Sequence, residues 1–282
     1  MPAVRRTGGR KGYRLIALDM DGTLLNSRHE ITPRAKRAIE KILARGKQVV
    51  FSTGRCIGEM ETYLEAFPGM RYLICESGAC VYDLQEKKNI ARIPISPRLV
   101  CKIISCIKDA DIMASFFMGN RSFMDAAYMG RLEEFGLGGF DDVFDRSVVR
   151  VAALFDFYQE NPLEVEKINL FFNNRKDRAA ALAKMSRLPL SLASSLAGNL
   201  EINDRKANKG EGLRILCGHL GIPMEQVIAV GDNSNDIGLL QAAGLPVAVG
   251  NAIPGIRALA RIVAADCDHD GAAAVMEEYM LA

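Results

Sequence analysis

The chain has 282 residues, a formal net charge of +2, and 49% hydrophobic and 25% charged residues. That length allows one large domain or two modest ones with a full core, and a charge so near zero gives no case for nucleic-acid binding. No apolar run approaches the roughly 18 residues of a membrane span, and no apolar stretch follows the basic start as it would in a signal peptide.

Arg5, Arg6, Arg10 and Lys11 share residues 1–12 with Gly8, Gly9 and Gly12 and show no apolar periodicity, so this segment reads as a flexible basic tail. A strand follows over 14–19, and it runs straight into Asp19-Met20-Asp21-Gly22-Thr23. A short apolar run closed by a Gly-containing turn is the mark of a central parallel strand. Such sheets bind ligands at the carboxyl ends of their strands, so both acids arrive where chemistry is done. If the extended backbone persists, Asp19 and Asp21 lie on one side of the chain. Two such charges side by side call for a cation between them or a proton on one.

A helix is expected from Pro33 to Arg45, with Thr32 as its N-cap, Pro33 in the first position and Gly46 at the C-terminal cap. Strand 47–52 ends in Ser52-Thr53-Gly54-Arg55, a helix spans about 57–66, and strand 71–75 ends in Glu76-Ser77-Gly78-Ala79. Strand, helix, strand, helix, strand is the pattern of a doubly wound parallel sheet.

The texture then changes. Strands 112–117, 121–125, 149–156 and 167–172 mix with helices near 97–108, 127–136 and 176–186. The first pattern resumes with helix 209–220, strand 226–230, helix 235–243, strand 246–249 and a final helix near 271–281. An insertion explains this economically. Residues 13–82 and 199–282 would form a Rossmann-like α/β core, and 83–198 an inserted α/β cap domain, with chain crossings near Val81 and Gly198. The seven cysteines are odd in number and contain no C-x-x-C pair, which reads as reduced thiols of a cytoplasmic protein. Zinc is disfavoured, since none of the three histidines has ligand spacing to a cysteine pair.

Four segments carry chemistry in order: Asp19-Met-Asp21-Gly-Thr23, Ser52-Thr53-Gly54-Arg55, Lys209-Gly210 opening a helix, and Gly231-Asp232-Asn-Ser-Asn235-Asp236 after a strand. Together they resemble the motifs of the haloacid dehalogenase-like hydrolases, and the chain from Tyr13 onward looks like the Cof-type sugar phosphatases. The resemblance implies a phosphatase in which Asp19 attacks phosphorus to form an aspartyl-phosphate and Asp21 serves as acid and base. It implies Mg²⁺ held by Asp19, the Asp21 carbonyl and Asp232, with Asp236 orienting a metal-bound water or Lys209 from behind. Met20, Thr53, Gly54, Lys209 and Asn235 would bind the substrate phosphate.

The residue types suit that chemistry. Phosphoryl transfer needs a nucleophile, a proton donor for the leaving alcohol and positive groups around the transferring oxygens. The expected substrate is a small phosphorylated metabolite, a sugar phosphate first among the candidates. A flavin or pyridoxal phosphate, another nucleotide or cofactor phosphate, and a phosphomutase using the same intermediate are the alternatives. No nucleic-acid or membrane partner is expected. Ser77 stands where the resembling family has asparagine, a departure near the core–cap junction that bears on substrate choice.

Overall fold

A computed structural model of the chain describes residues 12–108, 110–139, 141–196 and 198–282. The expected basic tail, apart from Gly12, lies outside them.

The first unit is built on eight strands. β1 (Leu15–Leu18) leads through α1 (Pro33–Ala44) to β2 (Gln48–Ser52), and α2 (Glu61–Leu64) leads to β3 (Tyr72–Cys75). A hairpin of β4 (Cys80–Asp83) and β5 (Lys88–Arg92) then extends the sheet antiparallel to β3. The Asp83 carboxylate accepts from the N–H groups of Gln85 and Glu86 and so fixes that turn.

The second unit contains α3 (Pro97–Ile107), β6 (Ile112–Met118), β7 (Arg121–Asp125), α4 (Asp141–Ser147), β8 (Val148–Val151) and α5 (Leu154–Glu160). It continues with β9 (Val165–Phe172), α6 (Arg175–Met185), β10 (Leu190–Ala193) and β11 (Asn199–Asp204). The chain returns to the first unit through α7 (Lys209–Leu220), β12 (Val227–Gly231), α8 (Ile237–Ala242), β13 (Leu245–Ala248), α9 (Pro254–Leu259), β14 (Ile262–Val263) and α10 (Gly271–Val275).

The first sheet has the order β14-β13-β12-β1-β2-β3-β4-β5, parallel from β14 to β3. The chain winds outward from β1 in one direction through β2 and β3, then in the other through β12, β13 and β14. The reversal lies between β1 and β12, the crevice where doubly wound sheets bind ligands. β1 is buried along its whole length, as its unbroken apolar run requires. On α1 the Thr32 hydroxyl accepts from the Ala35 N–H at 3.2 Å, as expected of an N-cap.

The second sheet runs β10-β11-β9-β6-β7-β8. Strand alternation gives it two unlike faces. Phe116, Ile168, Leu170, Leu200 and Ile202 pack with Val100, Ile103, Leu154 and Met185 of the covering helices. Ser115, Phe117, Lys167, Asn169, Asn199 and Glu201 occupy the alternate positions.

Several boundaries differ from the sequence reading. The change of sheet falls between Arg92 and Pro97 and again between Asp204 and Lys209. It does not fall at 82/83 or 198/199: Val81 lies inside a strand of the first sheet, and Gly198 precedes a strand of the second. The hydrophobic pattern could not assign β5, which is only half-buried, to either unit. Strand 149–156 is shorter and gives way to α5, and 127–136 holds two 3₁₀ turns rather than a helix.

Glu76 and Ser77 turn the chain from β3 into β4 with left-handed backbones, φ +54° and +57°. Gly78 follows at φ +93°, where a Cβ would overlap the Asn208 carbonyl at the start of α7. Both carboxylate oxygens of Glu76 are buried without a hydrogen-bond partner. Burial pushes this carboxyl from 4.5 up to about 7, against the opposing charges of Arg92 and Lys167. Between those values the folded protein holds a proton that the unfolded chain has released, so stability falls as pH rises. The stability gap between Glu76→Gln and the parent protein should therefore shift by about 3 kcal/mol in favour of the variant from roughly pH 4 to roughly pH 8. Denaturant unfolding at both pH values measures it, and a pH-independent gap contradicts the assignment.

Candidate active site

Asp19 follows the last residue of β1, and Asp232 follows the last residue of β12. Leu18 pairs with Val230 on one side and Phe51 on the other, so β1, β12 and β2 end at one level. Past Asp19 the chain turns at once, with the N–H groups of Thr23, Leu24 and Leu25 all reaching the Met20 carbonyl. Gly22 allows that turn at φ +78°, where a Cβ would come within 2.8 Å of Asp232 Oδ2. Thr23 Oγ1 donates to Asp232 Oδ1 at 3.1 Å and ties the turn to the neighbouring strand end.

Lys209 is the first residue of α7, behind the N-cap Asn208. A cation is disfavoured at a helix N-terminus and costs more when buried. Two carboxylates offset both penalties: Lys209 Nζ donates to Asp19 Oδ1 at 2.5 Å and to Asp236 Oδ1 at 2.6 Å. Lys209 and Asp236 are both fully buried. The second oxygen of Asp236 accepts from the N–H groups of Asp232 and Asn233, at 3.0 and 3.1 Å. Asp236 is thereby filled on both oxygens, which suits support of the site from behind.

Oxygens of Asp19, Asp232 and Asp236 lie within 4.8 Å of one another. The contacting carboxylates hold Lys209 protonated. Burial, then the Asp236 charge, pushes Asp19 well up despite Lys209, and the same two causes push Asp232 up to about 6. One ammonium facing three carboxylates leaves a deficit that a divalent cation matches. An all-oxygen donor set without thiolate or imidazole fits a hard ion.

The strand ends before Asp21, so the extended backbone does not persist to it, and its carboxylate is held by Arg55, which donates to both oxygens at 2.9 and 2.6 Å. His29 Nδ1 lies 3.6 Å away. Burial acts against ionisation, but His29 and Arg55 override it and hold the carboxyl well below the usual range. Asp19 and Asp21 therefore answer to different cations, although both line the same cavity.

That cavity measures about 350 Å³ and is lined by Asp19, Asp21, Gly54, Asp232 and Asn235 among others. Asn235 Oδ1 is buried there with no hydrogen-bond partner. Thr53, Lys209 and Asp236 stand behind the lining, and the Met20 side chain is buried in the core, leaving its backbone to serve the site. Thr53 Oγ1 accepts from the Arg55 N–H at 3.2 Å, an ordinary turn contact that leaves the hydroxyl proton available.

Sequence reasoning missed Arg55, His29 and the wall from the second sheet. Arg55 stood in the motif itself. The wall had a signal too: polar residues recur at every second position of otherwise apolar strands, in Lys167-x-Asn169 and Asn199-x-Glu201.

A parallel sheet with acids gathered at its switch point, opposite a buried lysine, defines a class of phosphoryl-transfer hydrolase. The sequence profile of the haloacid dehalogenase-like hydrolases matches residues 16–276, and the chain belongs to that family. It is 31% identical to phosphatase YwpJ of Bacillus subtilis, over 95% of this chain and all of that protein. It is 26% identical to the 5-amino-6-(5-phospho-D-ribitylamino)uracil phosphatase YcsE of the same organism, over 95% of this chain and 96% of the relative. A haloacid dehalogenase-like hydrolase structure from B. subtilis superposes with a TM-score of 0.84 at 27% identity, covering 94% of this chain and 99% of that one. The chain is thus an enzyme of the phosphoric monoester hydrolase class.

Replacing Lys209 should expose how much the site leans on it. Lys209→Met leaves buried carboxylates uncompensated and should destabilise the metal-free protein by about 3–5 kcal/mol. Chemical denaturation in chelator tests this, and a loss below about 1 kcal/mol contradicts it.

Proposed function

We propose that this chain is a Mg²⁺-dependent phosphatase of small phosphorylated metabolites that works through a phosphoryl group carried on Asp19. The observation that carries this reading is the convergence of Asp19, Asp232 and Asp236 at the strand ends, with the ammonium of Lys209 bonded to Asp19 and Asp236. Names of relatives support the reaction class, and their substrates differ too much to name one here.

In the first step an Asp19 oxygen forms a bond to phosphorus as the bond to the leaving oxygen breaks, and Asp21 supplies the proton to the departing alkoxide. In the second, water attacks phosphorus, its proton passes to Asp21, and inorganic phosphate leaves with Asp19 restored. Lys209 favours the ionised form of Asp19 against burial and the Asp236 charge, and holds it in position. The Arg55 contact holds Asp21 in its basic form, ready for the second step. A substrate phosphate competing for Arg55 would let Asp21 take up the proton that the first step spends. Gly54, the Thr53 hydroxyl, the Met20 backbone and Asn235 are the proposed phosphate contacts.

Asp19, Asp232 and the Asp21 carbonyl would hold Mg²⁺, with Asp236 supporting Lys209 and the loop behind them. A bound divalent cation supplies charge neutralisation for the phosphoryl oxygens and the clustered acids. The second unit, whose sheet walls the cavity, is read as a cap that excludes water and selects the leaving group.

Asp19→Asn should lower kcat on a phosphate ester by more than about a hundredfold while the thermal transition stays cooperative, since loss of a nucleophile costs at least that much. Phosphate release measured on an aryl phosphate ester tests it, and activity above that bound contradicts the covalent role. Exhaustive chelation should abolish turnover and Mg²⁺ restore it. Full activity in the chelated protein would remove the metal from the account.

A further inference from the structure

The cavity continues without a break from Asp19 and Asp232 to the polar-looking face of the second sheet. On that face Phe117 lies beside Lys167, Ser115 beside Asn169 and Met113 beside Phe171. Across the next strand pair, Asn169 stands opposite Glu201 and Phe171 opposite Asn199.

Most of the polar members are occupied with one another. Lys167 Nζ donates to the Gly54 carbonyl at 2.8 Å and pairs with Glu201 at 2.9 Å. Glu201 also accepts from Ser77 Oγ at 2.8 Å and Ser195 Oγ at 2.5 Å. Asn199 Oδ1 accepts from the N–H groups of Ser195 and Leu196, and its Nδ2 reaches Asn169 Oδ1 at 3.3 Å. Ser115 and Ser122 share a hydrogen bond of 2.9 Å. Beyond these closed pairs the wall is lined by Phe144 and Phe171 with Leu137 and Leu196, and by Phe117, one face of whose ring is covered by the Lys167 ammonium 5.4 Å from its centre. Phe144, Phe171 and Leu137 are packed in one apolar cluster, so these surfaces are held in place.

Such a wall suits one class of leaving group. A hexose brings several hydroxyls, and each one desolvated without a partner costs binding energy. A flat ring gains from aromatic faces and needs only a few polar contacts at its edge. An edge contact is available: the Asn169 amide, with its carbonyl taken by Asn199, offers N–H donors.

We propose that the subsite beyond the phosphate takes a planar aromatic ring, so that the preferred substrates are phosphate esters of ring-bearing alcohols rather than hexose phosphates. This rests on the phosphatase reading for its chemistry, while the subsite itself is testable by binding. Two probes share a primary-alcohol phosphate and differ in the group attached: pyridoxine 5′-phosphate and glucose 6-phosphate. Titration calorimetry with the Asp19→Asn protein and Mg²⁺ should give a Kd about tenfold lower for the pyridoxine ester, the scale of one ring stacked on aromatic side chains. Phe171→Ala should bring the two values together, and Phe117→Leu serves the same purpose if that variant fails to fold. Equal affinities, tighter binding of glucose 6-phosphate, or no binding of either overturns the subsite.

Turnover by the unaltered protein separates the two claims. Hydrolysis of both esters at similar kcat/KM would overturn the ring preference and leave the phosphatase standing. A preserved difference in Kd with no hydrolysis of either ester would support the subsite and overturn the phosphatase reading.

Discussion

The buried ammonium of Lys209 is the interaction on which the site depends. It contacts Asp19 and Asp236 within 2.6 Å, and Asp236 in turn fixes the loop that carries Asp232. Without that cation, carboxylates delivered by separate strand ends would repel one another in a medium that screens them poorly. With it they converge, and the charge left over is of the sign and size a divalent metal answers. Structure and chemistry are here the same electrostatic fact.

The sheet topology makes that meeting possible. β1 and β12 are far apart in sequence and adjacent in space because the winding reverses between them. The wall opposite comes from strands whose alternation sends apolar residues to the helices and polar or aromatic ones to the cavity. Lys167 and Glu201 join the two units, since their pair also binds Gly54 and Ser77 of the first. Ser77, the departure noted in the sequence, thus contacts the second sheet directly. Its hydroxyl is short enough to leave room for Glu201 and still donate to it.

Sequence legibility followed the range of the forces involved. Thr32 capping α1 and Lys209 opening α7 were readable because capping and helix initiation are local. The core sheet was readable because fully buried parallel strands leave unbroken apolar runs. The pairing of Asp21 with Arg55 was not, because the two come from the ends of different strands. The edge strand β5 and the unit boundaries escaped because a half-buried polar strand has no apolar signature. Cap residues such as Asn169 and Phe171 gave only alternation, which says that a face exists and not what it faces.

The central claim is that Asp19 becomes phosphorylated during turnover. Rapid acid quench of the protein mixed with Mg²⁺ and acetyl phosphate, followed by digestion and mass spectrometry, reads this directly. The account predicts a phosphoryl adduct on the peptide spanning 15–28, carried by Asp19 and decaying as substrate is exhausted. Phosphate released with no adduct at any time during turnover, or an adduct on another residue, would contradict it.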